Sequence, residues 1–110
     1  MHDKWTLVYW SDDTRKSPIE AWLDELTKDQ LKSVAKELLL LERCGNTLRL
    51  PHSRALGKGL FELREKIFGY RLYYTFLPNR TILLLHAGGK SKQQKDIELA
   101  RLRLDNLNEE

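Results

Sequence analysis

The sequence predicts an α+β fold, in which helices pack on a largely antiparallel sheet. Between Leu60 and Phe76, apolar and polar residues alternate with a period of two, which is typical of paired β-strands. Two segments before this stretch and one after it repeat their apolar residues at helical spacing. The predicted element order is therefore β-α-α-β-β-β-α, that of a compact α+β domain.

The first predicted elements are a strand at Trp5–Trp10 and a short helix. Ser17 and Pro18 mark the helix start, because serine caps a helix and proline favours its first position. The apolar stripe of this helix has the spacing i, i+3, i+4 and i+7. Its members are Ile19, Trp22, Leu23 and Leu26.

A second helix is predicted to begin at Thr27, where Thr-x-x-Gln forms a capping box with Gln30, and to end at Gly45. We expect the two helices to form a helical hairpin that packs on the sheet, with the Leu38–Leu41 run in the core. The apolar positions of the second helix are Leu31, Val34, Ala35, Leu38, Leu39 and Leu41.

The segment Asn46–Gly59 is predicted to be a loop, since it contains a proline and two glycines as breakers. The hairpin then turns at Phe68-Gly69. A two-residue turn would place Arg64 opposite Tyr73 and Lys66 opposite Arg71, all on one polar face. The other face, which includes Phe61, Leu63, Ile67 and Leu72, is expected to be core.

A third strand of this run, Thr81–His86, follows the turn signal Pro78-Asn79, and Gly88-Gly89 ends it. Ser91 is a candidate cap for a last helix. The apolar stripe of that helix comprises Ile97, Ala100, Leu104 and Leu107.

Composition indicates one domain, spanning residues 1–110, with 41% apolar and 32% charged residues, as in soluble globular proteins. No apolar run is long enough to span a bilayer, and the first residues do not resemble a signal peptide, so we expect a cytoplasmic protein without a membrane partner. The lone Cys44 cannot form an internal disulfide or a cysteine metal site.

The net charge of +3 conceals an uneven distribution. Residues 49–95 contain ten Lys or Arg against two Glu, which gives +8. Residues 1–48 carry −2 and residues 96–110 carry −3. A concentrated positive field favours a nucleic-acid partner, although a solvated basic surface would have the same composition.

Several chemistries lack their motifs in this chain. The three histidines, His2, His52 and His86, lie far apart, so no metal-ligand spacing is present. There is no Gly-x-Gly-x-x-Gly, no phosphate loop and no nucleophile elbow. We therefore expect no cofactor and no metal.

The remaining arginine, lysine, tyrosine and histidine residues suit metal-free cleavage of an RNA phosphodiester. The 2′-hydroxyl attacks the adjacent phosphorus, and arginines match phosphate geometry with paired hydrogen bonds. His52 and His86 have side chains suited to proton transfer, and Tyr73 could take part or stack on a base. Alternatively, Arg64 could pair with Glu62 or Glu65, and the other candidates could have ordinary structural roles.

Three stretches in the same order resemble one family. They are VYWSDDTRKSPIEAWLDEL, LFELR with GYRLYYTF, and ILLLHAGGKSKQQKDIELA. Together they cover nearly the whole chain and are similar to toxins of the RelE/ParE superfamily, in the phage-derived HigB-like branch known as addiction-module killer proteins.

This resemblance implies a RelE-like fold and a ribosome-dependent endoribonuclease that cleaves mRNA. It also implies a helix-turn-helix antitoxin as partner, with ribosomal RNA contacted during cleavage and operator DNA reached only through the antitoxin. Arg64 and Arg71 match the arginines expected at the scissile phosphate, and Lys90 matches the lysine after the last strand. His86 and Tyr73 are the candidates for proton transfer. The expected RNA- or ribosome-binding residues are His52, Arg54, Lys58, Lys66, Lys92 and Lys95.

Two other functions remain compatible with the resemblance. The ParE branch shares the fold but inhibits DNA gyrase. A non-catalytic module that still binds an antitoxin, and through it DNA, is the second alternative, because a fold alone does not determine function.

Overall fold

The computed structural model describes residues 4–12 and 17–108. His2 lies outside them, as do residues 13–16, which belong to the first of the three stretches that resemble the toxin family. Five strands, three α-helices and two short 3-10 helices occur in this part of the chain. The strands are β1 (Thr6–Tyr9), β2 (Ser53–Gly57), β3 (Leu60–Glu65), β4 (Tyr70–Leu77) and β5 (Thr81–Gly88). The helices are α1 (Pro18–Asp24), α2 (Lys28–Cys44) and α3 (Gln93–Asn108), with 3-10 helices at Gly45–Thr47 and Lys90–Lys92.

The five strands form one mixed sheet in the order β1-β5-β4-β3-β2. The β5-β4-β3-β2 pairs are antiparallel, whereas β1 runs parallel to β5. The prediction of an α+β fold rich in antiparallel pairing is confirmed. The local sequence patterns did not indicate that β1 would pair parallel to β5.

Strand β2 lies inside the segment that was predicted to be a loop, so that prediction is wrong over Ser53–Gly57. The strand pairs antiparallel with β3 at the sheet edge, with Ser53 opposite Leu63. Its side chains are mostly exposed, and its register shifts before Gly57. Such an edge strand owes its conformation to pairing with β3 rather than to a hydrophobic period of its own.

The starts of both N-terminal helices are confirmed. Ser17 Oγ accepts a hydrogen bond from the Ile19 N–H at 3.1 Å, and Pro18 opens α1. The Gln30 N–H donates to Thr27 Oγ1 at 3.3 Å, while the Thr27 N–H donates to Gln30 Oε1 at 2.9 Å, which completes the capping box. Helix α2 ends at Gly45, which has a φ of +52°.

Helices α1 and α2 both pack on one face of the sheet, and α3 packs on the other. Val34, Leu38 and Leu41 of α2 are buried as expected, but Leu39 is 51% exposed and Leu31 is 42% exposed. The core interpretation of the whole Leu38–Leu41 run is therefore wrong at Leu39. Pairing of α1 and α2 with each other as a helical hairpin stays a prediction.

The β3–β4 hairpin has a different register from the predicted one. Its turn contains four residues, 66–69, rather than two. As a result Arg64 lies opposite Arg71, and Glu62 lies opposite Tyr73. A shift of two residues preserves the face of each side chain, so the polar set remains together.

Glu65 explains the wider turn. Its buried carboxylate accepts hydrogen bonds from the backbone N–H groups of Ile67, Phe68 and Tyr70, and from the Ser33 hydroxyl at 2.7 Å. The turn is thereby folded around one side chain. Ile67 points away from the core and is 79% exposed, which corrects its predicted burial.

The C-terminal elements differ slightly from expectation. Strand β5 continues to Gly88, and Ser91 lies within a 3-10 helix, so α3 begins at Gln93 instead of being capped by Ser91. The register of β4 and β5 shifts beyond Tyr73, so Leu85 and His86 both reach the side of α3. Within the described residues, no helix combines the length and apolarity that a membrane span requires.

Candidate functional site

The face of the sheet beneath α3 brings together most of the residues singled out from the sequence. Residues paired in register on neighbouring strands lie about 5 Å apart on one face. One row across the sheet consists of Arg54, Glu62, Tyr73 and His86, and the next row of Arg64, Arg71 and Gly88. We call these two rows, together with Lys90, Gln93 and Asp96, the polar cluster.

The polar cluster lies partly under α3, whereas the sequence suggested an open arginine and tyrosine face. Tyr73 and Glu62 are fully buried, and Leu60, Leu85, Ala100 and Leu104 pack beside them. The sequence could not show this cover, because the packing of α3 on this face is a long-range contact.

Arg64 and Arg71 lie directly opposite each other on β3 and β4. The Arg71 side chain is 12% exposed, and its Nε lies 3.5 Å from Glu62 Oε2. Arg64 is half-buried, and within the described part of the chain its side chain has no ion pair or hydrogen bond. The predicted alternative that Arg64 pairs with Glu62 or Glu65 is therefore not what the structure shows.

Three lysines extend the positive charge at this end of the sheet. Lys90 follows β5 and is exposed. It lies next to Gly69, since a Cβ atom added at Gly69 would be 3.7 Å from the Lys90 Cβ. Lys66 is exposed in the same hairpin turn. Lys92 is exposed in the 3-10 helix after Lys90. The cations of the hairpin and of the segment after β5 therefore meet around one turn.

Glu62 is a buried carboxylate at the centre of the polar cluster. Gln93 Nε2 donates to its Oε2 at 2.9 Å, and Arg54 Nη2 lies 3.3 Å from its Oε1. With Arg71 Nε at 3.5 Å, two arginines and one amide surround this single acid. Buried carboxylates generally need such partners, because removing their charge from water is costly.

Tyr73 is fully buried, and its hydroxyl has no hydrogen-bond partner among the residues described. Burial raises the pKa of Tyr73 well above its usual value, and the negative charges of Glu62 and Asp96 raise this pKa further. The phenol is therefore neutral at physiological pH. In that form it can donate a proton but has little capacity to accept one.

Both ring nitrogens of His86 are engaged. Arg103 Nη1 lies 3.3 Å from Nδ1, and since a guanidinium can only donate, Nδ1 is the acceptor. Nε2 therefore carries the proton in the neutral ring and donates it to Asp96 Oδ1 at 2.8 Å. Arg103 also donates to the Leu85 carbonyl at 2.7 Å and lies over the Trp10 ring.

Asp96 reaches the sheet because Gly88 lacks a side chain. A Cβ at Gly88 would collide with Asp96 Oδ2. Among the described residues, all buried side-chain polar atoms without a hydrogen-bond partner belong to the polar cluster. They are Glu62 Oε1, Arg71 Nε and Nη1, Tyr73 OH, and Asp96 Oδ2. Groups left unsatisfied in this way call for an explanation, and a functional site is one.

The other predicted RNA-binding residues are divided between several places. Arg54 lies in the polar cluster and Lys95 is exposed on the first turn of α3. His52 instead contacts α2, with Nδ1 3.0 Å from Glu37 Oε1. The backbone carbonyl of His52 accepts a hydrogen bond from the Arg64 N–H at 2.8 Å, so His52 adjoins the polar cluster through its backbone while its imidazole contacts Glu37. Lys58 lies in the β2–β3 turn, and residues 60–63 of β3, about 13 Å of strand, separate this turn from Arg64. The structure does not bring Lys58 to the polar cluster.

Sequence reasoning missed the residues that α3 contributes. Three residues on one side of α3 contact strands of the sheet, at successive spacings of three and seven residues. They are Gln93, Asp96 and Arg103. That spacing was a detectable signal, since it continues the apolar stripe of Ala100 and Leu104 on the same helix face. No group of acids, histidines or cysteine that could hold a metal ion occurs among the residues described.

The chain is similar to known proteins at two levels. Residues 21–105 match the family model described as "Phage derived protein Gp49-like (DUF891)". The fold is similar to that of a double arginine-to-alanine variant of the E. coli toxin RelE in the free state, with a TM-score of 0.66 and 16% sequence identity. That alignment covers 92% of this chain and 98% of the RelE chain. No curated protein matches the sequence.

These findings support the superfamily that the sequence resemblance indicated. At 16% identity, the similarity to RelE concerns the fold. The family model is more specific, because it matches most of the chain and includes all the strands of the polar cluster. The protein belongs to the Gp49-like family of phage-derived proteins.

Proposed function

We propose that this protein is the toxin of a type II toxin-antitoxin system, of the HigB-like branch, and that it acts in the cytoplasm as a ribosome-dependent mRNA endoribonuclease. The observation that carries the proposal is the direct opposition of Arg64 and Arg71 at the end of the sheet where Lys90 also lies. The similarity of the fold to RelE, a protein described as a toxin, supports the same reading.

The proposed reaction begins with attack of the 2′-hydroxyl oxygen on the adjacent phosphorus. The hydroxyl proton passes to an acceptor, the bond from phosphorus to the 5′-oxygen breaks, and that oxygen receives a proton. The products are a 2′,3′-cyclic phosphate and a 5′-hydroxyl. This route needs no metal, because the nucleophile belongs to the substrate and the cations belong to the protein.

Arg64 and Lys90 are the cations best placed to meet the phosphate. Lys90 is exposed and the half-buried Arg64 has no ion pair among the described residues, whereas Arg71 lies close to Glu62. In the transition state negative charge grows on the phosphate oxygens, and fixed donors stabilise it without reorganising. Arg71 is proposed to supply the second guanidinium from its position beside Glu62.

Tyr73 and His86 remain the candidates for proton transfer. The neutral phenol of Tyr73 suits protonation of the leaving oxygen, and His86 with Asp96 resembles an oriented acid–base pair. Both side chains would need to become accessible, since Tyr73 is buried and both nitrogens of His86 are bonded. Active-site hydrogen bonds commonly rearrange when substrate binds.

The proposed partner in the absence of mRNA is a helix-turn-helix antitoxin. The positive field of residues 49–95 favours an acidic partner surface that covers the hairpin end of the polar cluster. Such a complex would reach operator DNA through the antitoxin rather than through the toxin itself.

The proposal is tested by adding the protein to a translating extract and mapping new mRNA 5′ ends. We expect ends that carry a hydroxyl group and that appear only on messages occupied by ribosomes. Arg64→Ala should reduce them by about 100- to 1000-fold, whereas Arg43→Ala, at an exposed position of α2, should not. Intact messages at a dose that stops growth would refute the nuclease.

Two outcomes would favour the alternatives. Loss of DNA supercoiling with a DNA-damage response, and with intact mRNA, would indicate a ParE-like gyrase inhibitor. Expression without any toxicity, together with retained antitoxin binding, would indicate a non-catalytic module.

A further inference from the structure

Glu62 is a buried acid of the polar cluster for which the proposed cleavage chemistry has no direct use. It is an acid in a site proposed to bind phosphate, and it is fully buried in β3, which lies between β2 and β4. Its row neighbour Tyr73 is equally buried, so the carboxylate is removed from water.

The cost of burying this carboxylate indicates a specific role. Removing a carboxylate from water costs several kcal/mol unless good partners compensate, and apolar replacements of buried ion pairs are often more stable. Glu62 is compensated by two arginines that approach from opposite sides, Arg54 from β2 and Arg71 from β4. The buried carboxylate therefore holds two guanidinium groups in place.

The contact with Arg71 restrains that side chain without saturating it. Arg71 Nε lies 3.5 Å from Glu62 Oε2, and neither Nε nor Nη1 has a hydrogen-bond partner among the described residues. The guanidinium is held by charge and keeps donors for another acceptor. A saturated bidentate pair would have left fewer donors.

Helix α3 fixes the carboxylate in turn. Gln93 Nε2 donates to Glu62 Oε2 at 2.9 Å, and this is the oxygen that faces Arg71. Gln93 is the first residue of α3 and follows the segment that contains Lys90. The orientation of Arg71 thus depends on a chain of contacts from α3 through Glu62.

We propose that Glu62 is a positioning residue that aligns the Arg71 guanidinium beside Arg64, with Gln93 holding the carboxylate in place. The step from alignment to phosphate binding rests on the proposed function. The alignment itself does not, and it has its own measurement.

The first measurement is the Nε–Hε signal of Arg71 in ¹H–¹⁵N spectra of the labelled protein, assigned with Arg71→Lys. In the wild type we expect a signal protected from solvent exchange, because Nε is buried next to a carboxylate. Glu62→Gln preserves the shape and the acceptor for Gln93 but removes the charge. The Arg71 signal should then move towards that of a solvent-exposed arginine and exchange faster, whereas Glu98→Gln, an exposed control on α3, should not change it.

The second measurement is mRNA cleavage on the ribosome. Misplacing a catalytic group by about 1 Å costs on the order of 100-fold, so Glu62→Gln should lower kcat by about that factor. KM should stay close to the wild-type value, because Arg64 and Lys90 still bind the substrate. Gln93→Ala should have a smaller effect in the same direction, and it carries the test if Glu62→Gln does not fold.

The outcomes separate this proposal from the proposed function. A wild-type protein that cleaves no mRNA would refute the nuclease, and the Arg71 signal would still decide the role of Glu62. An Arg71 signal that is identical in wild type, Glu62→Gln and Gln93→Ala would overturn the proposal. So would variants that unfold at lower temperature but keep the wild-type kcat, since the ion pair would then serve stability alone.

Discussion

At the scale of single residues, the two arginines of the hairpin occupy different environments although they face each other. Arg71 lies against the buried Glu62 and is 12% exposed. Arg64 is also half-buried, but no partner of its side chain is found in the described part of the chain. The first is therefore tied to the stability of the fold, and the second is available to a ligand.

This difference predicts two distinct phenotypes. Arg64→Ala should lower mRNA cleavage by about 100- to 1000-fold, the usual effect of losing a donor to a developing oxyanion. It should change the free energy of unfolding by less than about 0.5 kcal/mol, because the Arg64 side chain has no ion pair or hydrogen bond among the described residues. Arg71→Ala should also lower cleavage, but it should reduce the free energy of unfolding by about 2–3 kcal/mol because Glu62 loses a charged partner.

Chemical denaturation of both variants provides the measurement, with Arg43→Ala as the exposed control. Arg71→Lys is the matched variant, since it keeps the charge but lacks the planar fork. Equal destabilisation by Arg64→Ala and Arg71→Ala would contradict the division of roles.

Tyr73 allows a second prediction at this scale. Its buried hydroxyl has no partner within the described residues, so Tyr73→Phe removes a group that is costly to bury. We expect the free energy of unfolding to stay the same or to rise by up to about 1–2 kcal/mol. If the phenol protonates the leaving oxygen, cleavage should fall in the same variant. A destabilised Tyr73→Phe protein would show that the hydroxyl has a bonding partner after all.

At the scale of elements, the β3–β4 turn depends on Glu65. Burial alone would raise the pKa of this carboxyl, but the Ser33 hydroxyl and the backbone N–H groups of Phe68, Tyr70 and Ile67 together lower it below its usual value. The charged form is thus favoured in the folded protein. It links the turn to α2 and sets the register that places Arg64 opposite Arg71.

The sign of the pH dependence follows from this lowered pKa. The stabilisation from Glu65 is fully present above the unfolded-state pKa of about 4.3 and is lost as the pH falls through the lower pKa of the folded state. We therefore expect wild-type stability to decline below about pH 4 more steeply than that of Glu65→Gln.

At pH 7, Glu65→Gln should lower the free energy of unfolding by about 2–3 kcal/mol, because a charged acceptor of several hydrogen bonds is replaced. Denaturation curves at several pH values measure both effects. Glu98→Gln is the exposed control. Parallel pH profiles for wild type and Glu65→Gln would contradict this account of the turn.

The elements also show which features local sequence can predict. Both helix starts were predicted correctly from Ser17, Pro18 and the Thr27–Gln30 box, because caps are contacts between near neighbours. The hairpin register was wrong because the turn depends on Glu65, whose partner Ser33 lies 32 residues away. Strand β2 was missed because its conformation follows from pairing with β3.

The candidate site divides in the same way. Alternation along the hairpin correctly placed Arg64, Arg71, Tyr73 and Glu62 on one face. It could not reveal that α3 covers this face and contributes Gln93 and Asp96. The cations of the site and Glu62 were thus visible in the sequence, while Gln93 and Asp96 became visible only through tertiary contacts.

At the scale of the whole molecule, the cations of the site divide into those with a carboxylate partner and those without one. Arg71 and the 46% exposed Arg54 are paired with Glu62, and His86 bonds Asp96. Other cations, in the polar cluster or beside it, have no ion pair among the described residues. They are Arg64, Lys66, Lys90, Lys92 and Lys95. These five cations are therefore available to a polyanion.

This distribution predicts how RNA binding responds to salt. Each phosphate contact releases counterions, so the logarithm of the association constant for single-stranded RNA should fall linearly with the logarithm of salt concentration, by about 0.7 per contact. Arg64→Ala and Lys90→Ala should each reduce the slope by about 0.7. Arg43→Ala, at an exposed position of α2, should leave the slope unchanged. Titrations of a labelled oligonucleotide at several salt concentrations measure the slopes. Binding that does not depend on salt, or an equal loss of slope in Arg43→Ala, would contradict a localised phosphate-binding end, because the positive charge would then act only as a diffuse field.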